Sequence, residues 1–503
     1  MSLDLQREPP RLEAGAPISH IERARYRPND LDDCLQRLRD YFDSFAPVRE
    51  KWRRKTSGYH GEIERLYSYY IPKGASVLEI GCGTGDLLAS LEPERGVGID
   101  LSPAMISLAR ERHPQLRFEA VAAEKSALGE TFDYIVLSDL LQFAYDIRTL
   151  FIALKQYCHP RTRLVMNTHS RMWQPLLSLC EMTGLKYRQP VLNWVTVEDV
   201  TNLLKLAGFE AIQTDSRMLC PARIPLLQGF INAFAPFAPF RWFCLTNWIV
   251  ARLPMQPAAH EDRTAPTVSI ICPCRNEAGN IPNIIARLPR LGSRMELIFV
   301  EGNSKDETYA ACLKAKDEHP DLDISVHKQS GKGKKDAVWL GFEYAKGDIL
   351  MILDADLSVS PEDLPGFYEA IASGNVEFVN GSRLVYPMED KAMRFLNLIA
   401  NKFFSQAFSF LIGQNVKDTL CGTKVLLRSD YLRLMAGRKY FGDFDPFGDF
   451  DLLFGAAKLG LKIQDLPIRY RERTYGETQI SRFRHGWMLL KMCGVGLLRL
   501  KLR

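Results

Sequence analysis

The chain has 503 residues, with 65 Lys and Arg against 60 Asp and Glu, a net charge of +5, and it is 46% apolar and 25% charged. That balance excludes disordered, collagen-like and coiled-coil chains and fits two or three globular domains. The small net charge argues against a nucleic-acid coat, and eleven cysteines without a C-x-x-C pair argue against structural zinc.

The polar start MSLDLQREPP has no apolar core of the secretory kind, so the cysteines are expected as thiols in a reducing, cytoplasmic compartment. Residues 1–60 read as a polar extension with one helix near Asp30 to Phe45. Residues 61–256 read as a first α/β domain. Its strands are expected at Ser76 to Ile80, Gly96 to Ile99, Tyr134 to Leu137 and Arg163 to Met166, with helices at Asp86 to Leu91 and Ala104 to Arg112. Such alternation implies a parallel sheet covered on both faces. Ile224 to Trp248 is strongly apolar, but Pro225, Pro236, Pro239 and Arg241 oppose a spanning helix, which leaves a buried or interfacial cap.

Residues 257–266 are a polar, proline-bearing linker, and residues 267–503 begin the strand–helix rhythm again. Strands are expected at Val268 to Cys272, Glu296 to Val300, Ile324 to His327, Ile349 to Leu353 and Glu377 to Asn380. Phe395 to Ile412 has one broad apolar face, suited to a core helix or to one lying in a membrane interface. From Pro467 onward nine Lys and Arg stand against two acids, interleaved with Phe483, Trp487 and leucines. Such a segment is drawn to anionic lipid, and glycines 486, 494 and 496 suggest that it orders only on contact; the competing account is that Met488 to Leu500 packs back onto its domain as core.

Two motifs carry chemistry. Gly81-Cys82-Gly83-Thr84-Gly85 lies between a strand and a helix, and Asp100 follows at the end of the next strand. Glycines admit a ligand to the backbone, the helix start offers amide donors, and the acid can take both ribose hydroxyls. In the second half an apolar run ends in Asp354-Ala355-Asp356, whose carboxylates leave the strand on one side and suit a hard divalent cation on a diphosphate.

The segments VLEIGCGTG, GVGIDLSPAMISLAR and FDYIVLSDLLQF resemble class I S-adenosylmethionine-dependent methyltransferases over about Tyr59 to Pro221. By that resemblance Glu79, Gly81, Gly83 and Gly85 border the methionine part of S-adenosylmethionine, Asp100 holds its ribose, and Glu124 borders the adenine. Relatives often carry a His near Gln142-Phe143; here the methyl acceptor's base is left unassigned.

TVSIICPCRNEAGNI, FVEGNSKDET, GKGKKDAVWLGFEYAKGDILMILDADLSVSPEDL and NGSRL resemble glycosyltransferase family 2, with its GT-A fold. DTLCGTKVLLRSDY and PIRYRERTYGET resemble its polyprenyl-phosphate branch, which includes dolichol-phosphate mannosyltransferase. The resemblance implies a nucleotide-sugar pocket from Pro273, Arg275, Glu277, Asp306, Lys332 and Asp354, and a metal (Mg or Mn) on Asp356 and Asp354. It implies Arg383 and Arg473 at phosphate or acceptor, and Asp449 as the acid facing the acceptor. Glu301-Gly302 replaces the family's usual Asp-Asp, which leaves the choice of base open.

The expectation is a two-domain α/β transferase. One domain is a methyltransferase, and the other is an inverting, metal-dependent glycosyltransferase working from a nucleotide sugar. Its acceptor would be a polyprenyl phosphate or surface glycan at the cytoplasmic face of a membrane. A methyltransferase-like domain serving only as a scaffold is the alternative.

Overall fold

The computed structural model describes residues 31–190, 193–254, 265–331, 333–383, 395–442, 445, 448–468 and 482–502. The chain divides into two compact units, the first reaching Leu253 and the second starting at Pro254, with Ile212–Asp215 grouped with the second.

In the first unit the strands are β1 (Ser76–Ile80), β2 (Arg95–Asp100), β3 (Arg117–Ala120), β4 (Phe132–Ser138), β5 (Cys158–His169), β6 (Glu210–Arg217) and β7 (Thr246–Arg252). They make one sheet in the order β3-β2-β1-β4-β5-β7-β6. β1 runs parallel to β2 and β4, β2 to β3, and β4 to β5, while β7 is antiparallel to β5. Leu78, Ile80, Val97, Ile99, Ile135 and Leu137 are buried in one core. They are every second residue, on one face; Val77, Val136 and Val165 on the other face are buried too, so the sheet is covered on both sides. Helices Leu31–Lys55 and Ser57–Tyr70 belong to this unit: Tyr67 and Tyr70 pack on Trp248 of β7.

The apolar stretch after β6 is an outward cap. Leu226 is 95% exposed, Phe230 64% and Trp242 63%, while Ala235 and Cys244 are buried beneath. Helix Gln174–Met182, which has no buried residue, adds exposed Leu179 and Met182, and Trp173 Nε1 donates to the Phe243 carbonyl at 2.9 Å.

The second unit holds β8 (Val268–Cys274), β9 (Met295–Glu301), β10 (Asp323–Lys328), β11 (Ile349–Ile352), β12 (Phe378–Ser382), β13 (Lys424–Leu427) and β14 (Ile463–Pro467). Their order is β10-β9-β8-β11-β13-β12-β14. β10, β9, β8 and β11 are parallel, β13 is antiparallel to β11 and β12, and β14 is parallel to β12. Ile270, Phe299, Met351, Phe367 and Val379 centre its core.

Helix Phe395–Ile412 is core in its described second half: Phe404, Phe408, Leu411 and Ile412 are buried, with Phe408 4.8 Å from Phe450 between ring centres. Helix Arg482–Gly496, followed by the helical turn Leu497–Lys501, agrees with the account in which the tail packs back onto its domain rather than ordering only on lipid. It is continuous, and its Leu489 and Met492 are buried. Gly496 permits the contact, since a Cβ there would stand 2.8 Å from Phe454. Trp487, Leu490 and Leu498 face outward. Among the described residues no helix is long and apolar enough to cross a membrane.

Candidate functional sites

Each sheet reverses its strand order once beside its first strand, between β1 and β4 in one and between β8 and β11 in the other. Neighbouring loops diverge there and open a crevice at the carboxyl ends of the strands. The sequence motifs sit at those ends.

At the end of β1, Gly81, Gly83 and Gly85 have φ of +73°, +53° and +74°, which glycine adopts without strain. A Cβ on Gly81 would lie 2.8 Å from Leu140, and one on Gly83 2.9 Å from the Arg49 guanidinium. Asp100, at the end of β2, accepts from the amides of Gly83 and Ser102, each at 2.9 Å. Burial raises its pKa. Glu79 is buried under the loop and accepts from the Leu88 amide at 3.1 Å. Burial pushes its pKa to about 8, so at neutral pH it is a protonated carboxyl that ties the loop to the following helix. Glu124 lies half-buried in the turn Ala123–Lys125 after β3, with its pKa also raised by burial.

Residues far off in sequence complete this site. Arg49, on helix Leu31–Lys55, donates through Nε to Thr84 Oγ1 at 2.9 Å. Asp43 on the same helix accepts from the Ser102 hydroxyl and from the Ala104 amide at 3.1 Å. Amides, a carboxylate at the second strand end and a guanidinium over the loop fit a ligand carrying a ribose diol and a carboxylate.

In the second unit Asp354 and Asp356 follow β11. Asp354 pairs with Lys334 Nζ at 2.6 Å, and Asp356 accepts from the Ser358 amide at 3.0 Å. Burial works against the Lys334 charge, but Asp354, Asp449 and Asp356 around it outweigh burial and raise its pKa. Asp449, the first residue of helix Asp449–Lys458, has its pKa pushed to about 6 by burial, with Lys424 and Lys334 pulling it down. Gly422 lies so close to Asp354 and Lys334 that any side chain there would overlap both. The structure thus gathers the three expected acids around one lysine. Lys334 itself was not among the expected residues; its signal was its place in Lys332-Gly333-Lys334-Lys335 at a helix start.

Pro273, Arg275 and Glu277 mark the end of β8 and its loop. That loop is tied to the end of β9, with the Glu277 amide on Thr308 Oγ1 at 2.9 Å and the Asn276 amide on Ser304 Oγ at 3.0 Å. Asp306 bonds the Ala278 amide at 3.3 Å and the Thr308 amide at 3.2 Å, which makes it an organiser of these loops. Arg383 makes a two-pronged pair with buried Asp418, Nε to Oδ2 at 2.7 Å and Nη2 to Oδ1 at 2.9 Å. Lys332 and Arg473 lie outside the described residues.

A cation on a diphosphate takes one or two protein carboxylates and completes its shell with phosphate oxygens and water. Asp354 and Asp356 supply that number of hard donors. Among the described residues, no three metal-type ligands cluster into a self-sufficient site.

Two open α/β sheets, each with its binding groups at a strand-order reversal, define an enzyme of the nucleotide- and cofactor-binding class. Residues 25–214 match the family model of a methyltransferase domain, and residues 269–434 match that of glycosyl transferase family 2. The chain therefore carries a methyltransferase domain followed by a family 2 glycosyltransferase domain. It is 34% identical over 239 residues to dolichol-phosphate mannosyltransferase of Pyrococcus furiosus, covering 45% of this chain and 64% of that one. It is 26% identical over 218 residues to polyprenol monophosphomannose synthase of Mycolicibacterium smegmatis, covering 42% and 80%. The first unit is similar to magnesium protoporphyrin IX methyltransferase of Synechocystis with bound SAH, at 18% identity and TM-score 0.32, over 43% of this chain and 98% of that one.

Proposed function

We propose that the second unit transfers a sugar from a nucleotide-sugar donor to a polyprenyl phosphate or related glycan acceptor, with inversion at the anomeric carbon. The observation that carries this is the gathering of Asp354, Asp356 and Asp449 around Lys334 at the carboxyl edge of β11. Asp354 and Asp356 would hold a divalent cation, which when bound offsets the negative charge that builds on the departing diphosphate. Lys334 keeps Asp354 in place and adds fixed positive charge to the cleft. A phosphate acceptor is already ionised, so Asp449 serves to position it. The names of the two relatives, a dolichol-phosphate mannosyltransferase and a polyprenol monophosphomannose synthase, support the donor and acceptor classes.

In the same reading the first unit binds S-adenosylmethionine through the glycine loop, Asp100 and Arg49, and transfers its methyl group. The exposed apolar cap around Phe230 and Trp242, together with outward-facing Trp487 and Leu490, supports peripheral attachment to the cytoplasmic face of a membrane. Calorimetry of the full chain with UDP- and GDP-sugars, with Mn2+ and then with chelator, tests the donor reading. The expected result is binding of one nucleotide class that depends on the metal; tight binding with chelator removes the cation from the site.

A further inference from the structure

Beside the cofactor loop, the carboxyl ends of β4 and β5 hold a second polar group of residues, of which the sequence motifs included only Asp139 and Gln142, within FDYIVLSDLLQF. Asp139 follows β4 with φ of +52°, a strained value for a non-glycine residue and one that clusters at functional sites. Its Oδ2 accepts from the Tyr59 hydroxyl at 2.7 Å, and its Oδ1 accepts from Asn167 Nδ2 at 2.6 Å. Tyr67 in turn donates to Asn167 Oδ1 at 2.8 Å. His169, at the end of β5, has Nδ1 2.8 Å from Gln142 Oε1 and Nε2 3.3 Å from the Tyr59 oxygen.

The hydrogen-bond partners, as the structure orients them, select one tautomer of the imidazole. Gln142 Oε1 can only accept, so His169 Nδ1 carries a proton and donates it. Tyr59 has one proton and spends it on Asp139. Nε2 is left with an unprotonated lone pair, with Asp139 Oδ1 3.9 Å away. The side chain retains 10% of its surface, so the ring is packed but not sealed.

We infer that His169 Nε2 is the general base for methyl transfer to a hydroxyl acceptor, with Gln142 and Asp139 as its positioning residues. The inference rests on the reading of the first unit as a methyl-transferring domain. A carboxylate or phosphate acceptor is already ionised and needs no base, whereas an alcohol must shed its proton as it attacks. The acceptor oxygen bonds to the methyl carbon while its proton passes to Nε2. The carbon–sulfur bond breaks, its electron pair stays on sulfur, and S-adenosylhomocysteine leaves. The groups facing His169 agree with a neutral resting base. Burial lowers its pKa first, Asp139 raises it, and Lys186 lowers it, with the Tyr59 and Trp194 rings completing its surroundings.

The test uses the full chain with 15N-labelled histidine, His169→Gln serving to assign the signal. Long-range nitrogen–proton spectra near pH 7.5 are expected to show the proton on Nδ1; a proton on Nε2, or on both nitrogens, overturns the inference. In parallel, radiolabelled S-adenosylmethionine is offered with methyl α-D-mannoside and methyl α-D-glucoside from about pH 5 to 9. His169→Gln is expected to slow methylation about 100-fold or more and to flatten the acidic limb of the profile, the scale for losing a general base. Asp139→Asn is expected to move that limb to lower pH, because it removes the anion that raises the His169 pKa. An unchanged rate in His169→Gln overturns the inference. Calorimetry with S-adenosylhomocysteine separates the two readings: wild-type chain that does not bind it overturns methyl transfer itself, whereas His169→Gln is expected to bind it as wild type does. If neither glycoside is methylated, the tautomer decides.

Discussion

The two units place their binding groups at the same point of two similar sheets but charge them in opposite ways. Around the glycine loop the acids are buried singly: Glu79 is held near pKa 8 and Asp100 is raised, and each is satisfied by backbone amides. Around β11 three carboxylates share a crevice with the half-buried Lys334 and the buried Lys424. The first arrangement suits a cofactor read through hydrogen bonds, with little net charge to oppose. The second suits a diphosphate and its cation, where large opposite charges are balanced in one place. One architecture thus serves two chemistries because the ends of the strands, not the sheet, carry the charge.

The largest effect should come from Asp356→Ala. Donor binding in the presence of Mn2+ is expected to fall at least about 100-fold, the scale for removing one partner of a buried charge pair, while thermal unfolding stays cooperative. Calorimetry checks it, and intact affinity would erase the contrast between the units. Asp100→Ala comes next. Losing charged hydrogen bonds costs roughly 1.5–3 kcal/mol each, about 10- to 100-fold in S-adenosylhomocysteine affinity, with sugar-donor binding untouched.

Glu79→Gln separates the units by pH. The unfolded acid titrates near 4.5 and the folded one near 8, so the native chain keeps a proton that the unfolded chain releases between those values. Wild-type stability therefore falls as pH rises through that window and levels off above it. The glutamine variant lacks this loss and should gain on wild type by on the order of 2 kcal/mol between pH 5 and pH 8 in urea titrations. The smallest effect belongs to the cap: Trp242→Ser should weaken flotation with anionic vesicles about threefold, from the apolar area it withdraws.

The centres of both sheets were legible in the sequence because long apolar runs have few other uses. The expected strands from Ser76 to Met166 and from Val268 to Asn380 all recur in the structure. β3, β6, β7, β13 and β14 were missed: β3, β13 and β14 are only four or five residues long, and β7 begins inside the apolar stretch read as a cap and pairs with β5, far away in sequence. The glycine loop, Asp100, Asp354 and Asp356 could be read because their spacing follows from strand ends, whereas Asp449, at a helix start, came only from the family resemblance. Arg49, Asp43, Lys334 and His169 could not, since each reaches its site through packing of separate elements. Arg383, expected at a phosphate, is held by Asp418, a pairing that its sequence context did not announce.

Helix Leu31–Lys55 is fastened along the rim of the cofactor loop. Arg49 holds Thr84, Arg53 pairs with Asp86 at 3.6 Å, Glu50 with Arg112 at 3.0 Å, and Lys125 with Asp32. Anyone trimming this protein for expression therefore meets a trap. A fragment begun at residue 61, where the sequence places the start of the first domain, would discard Tyr59 together with this whole helix. It would present a pocket with one wall missing, and its weak cofactor binding would say nothing about the natural chain. The useful cut lies upstream of Leu31.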